Sequence, residues 1–220
     1  MSARLGTGRE ELLNAAARAL AEHGYHGMSM RELARATNRA PATLYNYVEH
    51  KEDLLYLIQR DAFDQMLARA EEELAGVSAP VERLRRFVGG HVRFFADRQY
   101  LMRVLIHEAA TLPPERRAEI RERKERYFRV ARGLVSGVVQ GASPPGEVEV
   151  ERATYCLFGM LNWTYGWYQP SRHGTPDELA AAIVHMTLSG VQGLSEGPPP
   201  PPARPRSNRA RVAARPGGVR

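Results

Sequence analysis

Cysteine is nearly absent from this chain of 220 residues: Cys156 stands alone, so no disulfide can close within it. No Cys/His cluster has the spacing of a zinc site, and His23 and His26, with no further ligands nearby, read as surface residues rather than as part of a metal site. Long apolar runs are missing as well. No stretch approaches the roughly 20 residues of a membrane span, and the N-terminus carries no signal-peptide core. The expectation is a soluble cytoplasmic protein with no membrane partner, in which the Asn-Trp-Thr sequon at Asn162 has no meaning. Catalytic pairs are equally sparse. Cys156 falls in an apolar helical pattern, where a buried inert thiol is expected, and His107 and Glu108 are sequence neighbours whose side chains diverge on a helix. No catalytic residue, metal or cofactor is indicated.

Net positive charge is scarce in the body of the chain, although the pI is near 9.8 and the formal charge +6. Residues 196–220 hold Arg204, Arg206, Arg209, Arg211, Arg215 and Arg220 against Glu196 alone, a net +5 that leaves +1 for everything before them. The charge therefore describes an adhesive tail and does not locate a DNA-binding face. A tail-driven, non-specific binder of nucleic acid or membrane surfaces is a rival reading on this ground. What the chain does have is 43% apolar residues, enough for a full core in one domain, or in one large and one small.

The most informative stretch is Ser29–Lys51, SMRELARATNRAPATLYNYVEHK. Ser29 and Glu32 form an S-x-x-E capping box. A short helix follows, with Met30, Leu33 and Ala34 at helical spacing. It should end near Thr37-Asn38, because Asn tolerates the left-handed conformation of a sharp turn. Pro41 suits the first turn of a second helix, Pro41–Val48, in which Leu44 and Val48 face inward. Two short helices at a tight turn make a helix-turn-helix, whose second helix enters the major groove by its N-terminal end. Pro41, Ala42, Thr43, Tyr45, Asn46 and Tyr47 surround that end. Thr43 offers a hydroxyl, and Asn46 can bond adenine in a bidentate manner. The tyrosine phenols, His50 and Lys51 stand where the DNA backbone passes; Ser29 and Met30 are counted with the DNA-facing residues, and Arg39 is either an added phosphate contact or simply solvated.

These residues carry a resemblance. The run Ala42–Leu55, ATLYNYVEHKEDLL, with ELARA (Glu32–Ala36) before it, resembles the signature of the TetR family of bacterial repressors, strongly over about the first sixty residues and loosely thereafter. Three positions depart from the pattern: Ala40 replaces a capping Ser, Arg39 a small apolar residue, and Val48 a Phe. The missing cap weakens the second helix by ~1 kcal/mol.

The rest of the chain reads as all-α, about nine helices in total. A first helix runs from about Arg9 to His23, opened by a Thr7–Glu10 box, preceded by a loose arm containing Arg4 and ended by Gly24. A long fourth helix, Lys51 to about Ala75, is the natural lever into a second domain. Helices follow over Val81–Ala96, Tyr100–Ala110, Glu115–Gln140, Glu147–Tyr168 and Pro176–Gly193, with a loop over Gly141–Gly146. The expected division is a DNA-binding domain, 1–50, a ligand-binding and dimerisation domain, 51–194, and a disordered Pro/Arg-rich tail, 195–220. The last two helices are apolar on more than one face. The side bearing Leu179, Ile183, Val184, Met186 and Leu188 is expected to meet a second subunit in a C2 four-helix seam.

The segment Asn162–Tyr168, NWTYGWY, with Pro170, Gly174-Thr175-Pro176 and the closing amphipathic helix, is similar to the C-terminal domain of TetR-type repressors that answer to acyl-CoA thioesters in lipid or sterol breakdown. That resemblance implies a dimer on a palindromic double-stranded operator, released by a small effector, with an acyl-CoA as the candidate. A lumen lined by Phe63, Met66, Met102, Leu105, Ile106, Phe158, Asn162 and Trp163 suits an acyl chain, and Arg103 or Arg121 would meet nucleotide phosphates. The alternatives are induction by a different hydrophobic molecule, and a helical enzyme acting on acyl-CoA.

Overall fold

Helix α1 (Ser2–His23) opens the chain in the computed structural model, which describes residues 2–139 and 146–194. It starts ahead of the expected Arg9, so the Thr7–Glu10 spacing lies inside the helix and the arm expected before it is helical from Ser2. Ala3, Arg4 and Leu5 are good helix formers, and an S/T-x-x-E spacing fits a helix interior as well as a cap. The contact expected of Arg4, the loop over 141–145 and the tail beyond residue 194 lie outside what is described. Gly24, at φ 73°, ends α1. Gly27 has no room for a side chain, because an added Cβ would sit 2.2 Å from the His23 carbonyl oxygen.

Helices α2 (Met30–Ala36) and α3 (Pro41–Tyr45) form the helix-turn-helix. The Ser29–Glu32 box is present in both directions, with Ser29 N–H donating to Glu32 Oε2 at 2.7 Å and Glu32 N–H to Ser29 Oγ at 3.3 Å. Asn38 takes the left-handed turn conformation at φ 53°. Ala40 gives α3 no side-chain cap, and α3 stops at Tyr45, short of the expected Val48. Val48 is nonetheless buried beside Leu33, Ala34 and Leu44, which hold the two helices together.

Helix α4 (Lys51–Leu74) runs from this unit into the bundle formed by α5 (Pro80–Ala96), α6 (Gln99–His107), α7 (Pro114–Val138), α8 (Glu147–Trp163), the single-turn α9 (Pro170–His173) and α10 (Pro176–Leu194). The helix expected over Glu147–Tyr168 ends instead at Trp163 and passes into a 3₁₀ turn, Thr164–Gly166. Thr164 is buried and its hydroxyl donates to the Leu161 carbonyl at 2.8 Å; Gly166 and Pro170 then prevent helical continuation. α10 is opened by a second reciprocal box between Thr175 and Glu178. Ten α-helices and the one 3₁₀ turn are all of the regular structure among the described residues.

Packing corrects the expected orientation of α10. Leu179, Ile183 and Val184 are buried inside their own subunit, where α10 lies against α5 and α8. Met186 is exposed and Leu188 half-buried. Cys156 is also exposed, contrary to the expected buried thiol, because it lies on the outward face of α8 while Thr154, Leu157 and Leu161 face the core. The first helix is joined to the bundle rather than only to its own domain: it packs on α6, where Tyr100 Oη donates to Asn14 Oδ1 at 3.1 Å and Arg18 stacks over the Tyr100 ring at 4.0 Å.

Candidate DNA-reading surface and ligand cavity

At the tip of the molecule Ser29, Pro41, Ala42, Tyr45, Asn46 and His50 are exposed, Tyr45 by half of its surface. Thr43, Tyr47 and Met30 are half-buried, the last two against the core. The Ser29 hydroxyl accepts from the Glu32 amide but keeps its own proton for a phosphate. Two cations assigned to the DNA backbone have work within the chain. Arg39 lies against α1, donating to the Gly8 carbonyl at 3.3 Å and standing 3.8 Å from Glu11. Lys51 Nζ donates to the carbonyls of Tyr25 (2.6 Å) and Met28 (2.7 Å) and sits 4.1 Å over the Tyr25 ring. One ammonium proton remains for a phosphate. Arg31 and Arg35 are also exposed on α2; spacing alone does not mark them, because a helix shows which of its faces is outward only when its neighbours are known.

Behind this tip a cavity of about 380 Å³ lies among α4, α5, α6, α7 and α8. Its wall is Phe63 and Met66 from α4, Phe95 from α5, Met102, Leu105 and Ile106 from α6, Ile120 and Phe128 from α7, and Tyr155 and Phe158 from α8, with Ala109 beyond α6. Gln59, His91, Lys124, Tyr127 and Asn162 are its polar members. The volume is at the low end of the ~300–1,000 Å³ typical of small-molecule sites. Seven of the expected ligand residues line it: Phe63, Met66, Met102, Leu105, Ile106, Phe158 and Asn162.

Trp163, Arg103 and Arg121 are not among the lining residues. Trp163 is 63% exposed and meets Tyr165 edge-on at 5.7 Å. Arg103 lies 6.0 Å from the Tyr165 ring, on a solvent-facing cluster with His107, whose Nε2 is 2.9 Å from Tyr165 Oη. Arg121 points to solvent beside Glu125 at 3.9 Å. The basic group at the cavity is instead Lys124, one helical turn further along α7. From sequence it was indistinguishable from the other charges of that helix.

The cavity is wired to the DNA-reading tip. Gln59, fully buried, donates through Nε2 to the Glu108 carbonyl at 3.1 Å. The Glu108 carboxylate accepts from the Tyr25 amide at 3.0 Å and from the Thr111 hydroxyl at 2.9 Å. Tyr25 in turn holds Lys51 at the start of α4. A second tie runs from α7, where Arg116 pairs with Glu52 at 3.3 Å and with Asp53. Burial favours the neutral acid at Asp53, but the Arg116 guanidinium and the His50 amide together hold its carboxyl below the usual range. Tyr56 Oη to Glu119 (2.5 Å) and Arg123 to Asp64 (2.9 Å) continue the α4–α7 seam.

These hydrogen bonds join a helix-turn-helix tip to an apolar cavity among the remaining helices, an architecture of the DNA-binding transcription regulators. Comparison with known proteins agrees. The family model for bacterial regulatory proteins of the tetR family matches residues 12–56, and that for the tetracyclin repressor-like C-terminal domain matches residues 77–191. The chain belongs to the TetR family of transcriptional regulators.

It is 24% identical over 182 residues to the fatty acid metabolism regulator protein of Bacillus subtilis, covering 82% of this chain and 94% of that one. It is 24% identical over 187 residues to the transcriptional repressor KstR2 of Mycolicibacterium smegmatis, covering 83% and 90%. Among solved structures it resembles AibR in complex with isovaleryl coenzyme A and operator DNA (TM-score 0.71, 29% identity, 81% of this chain and 97% of that one). It also resembles a TetR-family regulator from Bordetella parapertussis (TM-score 0.76, 26% identity, 82% and 93%). Among the described residues no helix is long and apolar enough to cross a membrane, and no cluster of His, Cys, Asp or Glu could hold a metal ion.

Proposed function

We propose that the protein is a homodimeric repressor that binds a palindromic operator and leaves it when an acyl-CoA occupies the cavity. The observation that carries this reading is the hydrogen-bonded path Gln59–Glu108–Tyr25–Lys51, because it gives a ligand in the cavity a physical means of disturbing the DNA-reading tip. Support for the ligand class comes from the apolar wall with Lys124 beside it, and from the likeness to AibR, a structure holding isovaleryl coenzyme A and operator DNA together. In this reading Ser29, Pro41, Ala42, Thr43, Tyr45, Asn46, Tyr47 and His50 face DNA, with Lys51 both brace and phosphate contact. Residues 1–50 are the DNA-binding domain, 51–194 bind ligand and partner, and 195–220 are a tail.

The partner surface is the outward face of α8 and α10. Trp163 and Met186 are exposed there, and Gly159 and Gly190 have open space where a Cβ would stand, so another helix can approach closely. A C2 seam of four helices sets two α3 tips at a fixed separation, about one DNA turn of ~34–36 Å in an operator-competent dimer. Ligand that shifts Gln59 moves Glu108, and with it the loop that carries Tyr25. Converting almost full occupancy of the operator to almost none needs about 10⁴-fold, or ~5.5 kcal/mol, of differential affinity between the two states.

The test is an operator selected from random duplexes, followed by titration with acyl-CoAs of graded chain length, free CoA and the free acids. Release by acyl-CoA alone is expected. Release by the free acids at lower concentration would move the reading to a different hydrophobic inducer, and turnover of the thioester would move it to an enzyme.

A further inference from the structure

Among the residues that line the cavity, one fully buried side-chain atom stands without a partner. His91 is buried, its Nδ1 lies 3.1 Å from Tyr127 Oη, and its Nε2 is buried with no hydrogen-bond partner among the described residues. Buried polar atoms are almost always paired, so an exception calls for a reason. The ring is not loosely placed: Phe95 lies at 5.0 Å, Tyr127 at 5.9 Å and Phe158 at 6.3 Å between centroids, and all three also line the cavity.

Proton accounting fixes what kind of atom is missing. Tyr127 is buried, and among the described residues its hydroxyl pairs with the His91 ring. If Nδ1 carried the ring proton, the hydroxyl proton and the Nε2 lone pair would both be left unpaired. If the hydroxyl donates to Nδ1, the ring proton sits on Nε2 and a single N–H is left over. The second arrangement leaves fewer groups unsatisfied. Nε2 is then a donor that needs an acceptor, and a purely hydrocarbon ligand cannot supply one.

We infer that His91 is a specificity residue of the cavity, whose Nε2–H donates to a carbonyl oxygen on the bound acyl group, with Tyr127 as the positioning residue that holds the ring in the donating tautomer. The inference rests on the cavity being the effector site. The carbonyl has two sources in an acyl-CoA: the thioester itself, or a ketone further along the acyl body. Both present the same acceptor to the same N–H, and the probes below separate them.

Three probes differ only in that oxygen: hexanoyl-CoA, S-hexyl-CoA (the thioether, with no carbonyl) and 5-oxohexanoyl-CoA. Their affinities are measured by calorimetry on the full-length protein and on His91→Phe, which keeps a ring but no N–H. In the wild type the carbonyl that meets His91 is expected to improve binding roughly tenfold, the scale of one net hydrogen bond. His91→Phe is expected to abolish that ratio. Loss of the thioester-over-thioether ratio identifies the thioester as source, and loss of the ketone-over-hexanoyl ratio identifies the chain ketone. If His91→Phe keeps both ratios, or the wild type binds all three probes equally, the inference is overturned while the acyl-CoA reading stands. If no probe binds the wild type, both fall. Should His91→Phe not fold, imidazole ¹⁵N spectra of the wild type decide. A protonated Nε2 that shifts with a carbonyl probe and not with S-hexyl-CoA supports the assignment. A protonated Nδ1, or identical shifts with all three, overturns it.

Discussion

Asn46 and Lys51 are five positions apart in the sequence and do different things. Asn46 is exposed and its side chain makes no hydrogen bond among the described residues, so Asn46→Ala should leave the melting curve unchanged and reduce preference for the selected operator over random duplex by about 1–3 kcal/mol. Lys51 braces two carbonyls of the loop before α2. Lys51→Ala should therefore lose on the order of 1–3 kcal/mol of stability in urea unfolding, besides weakening binding to all sequences and lowering the salt slope by about one. An unchanged midpoint for Lys51→Ala would refute the bracing role.

His91 adds a pH dependence of its own. An unfolded histidine takes up its proton near pH 6.5, whereas burial keeps His91 neutral in the fold down to about 3. Between those values the unfolded chain binds the additional proton, so this contribution to stability is complete above the unfolded value and declines as the pH falls toward 3. From pH 6.5 to 5 the loss is on the order of 1–2 kcal/mol. The stability of His91→Phe, followed by denaturant titration across that interval, should be flatter by this amount.

At the scale of elements, the parts legible in the sequence were those decided by neighbours along the chain. The Ser29–Glu32 box, the left-handed Asn38 and the uncapped start at Ala40 each depend on three or four consecutive residues, and each was found where the local chemistry put it. Six of the seven expected lining residues, all but Asn162, were legible because apolar residues at helical spacing must face something. The missed features depend on how a helix is rotated against others. Nothing in the local sequence of α8 distinguishes outward Cys156 from inward Leu157, and nothing in α10 reveals that Leu179 and Ile183 meet α5 rather than a partner. His91 was missed for the same reason.

The short connection after α6 is the element on which signalling should depend. Glu108 joins Gln59, at the cavity, to Tyr25, beside the reading helices. Replacing Glu108 by Ala removes the carboxylate and leaves the backbone carbonyl that Gln59 uses. Acyl-CoA affinity should then change by less than about threefold, while the ratio of operator affinities without and with ligand shrinks by about tenfold or more, a loss of ~1.4 kcal/mol of coupling. Parallel calorimetry and operator titration measure the two quantities. An unchanged ratio would mean that the signal travels by the Arg116 tie instead.

For the whole molecule, the paired tips matter more than the charge. Gly159→Glu places a carboxylate in the open space on the outward face of α8, where the subunit itself has room for it. The expected result in sedimentation is a folded monomer, with palindrome binding lost and half-site binding reduced to the non-specific level. Removal of residues 195–220 takes away a net +5, so it should weaken binding to random DNA while the preference for the palindrome survives.

The bond between Tyr100 and Asn14, with Arg18 lying over the same ring, has one more consequence. It makes the N-terminal helix a passenger of α6, so whatever loosens α6 frees the amides of Leu12, Leu13 and Leu20 to exchange with solvent. Deuterium uptake in that helix becomes a gauge of effector occupancy, readable without any DNA in the tube. Tyr100→Ala, which removes both the hydroxyl and the ring beneath Arg18, should leave the needle still.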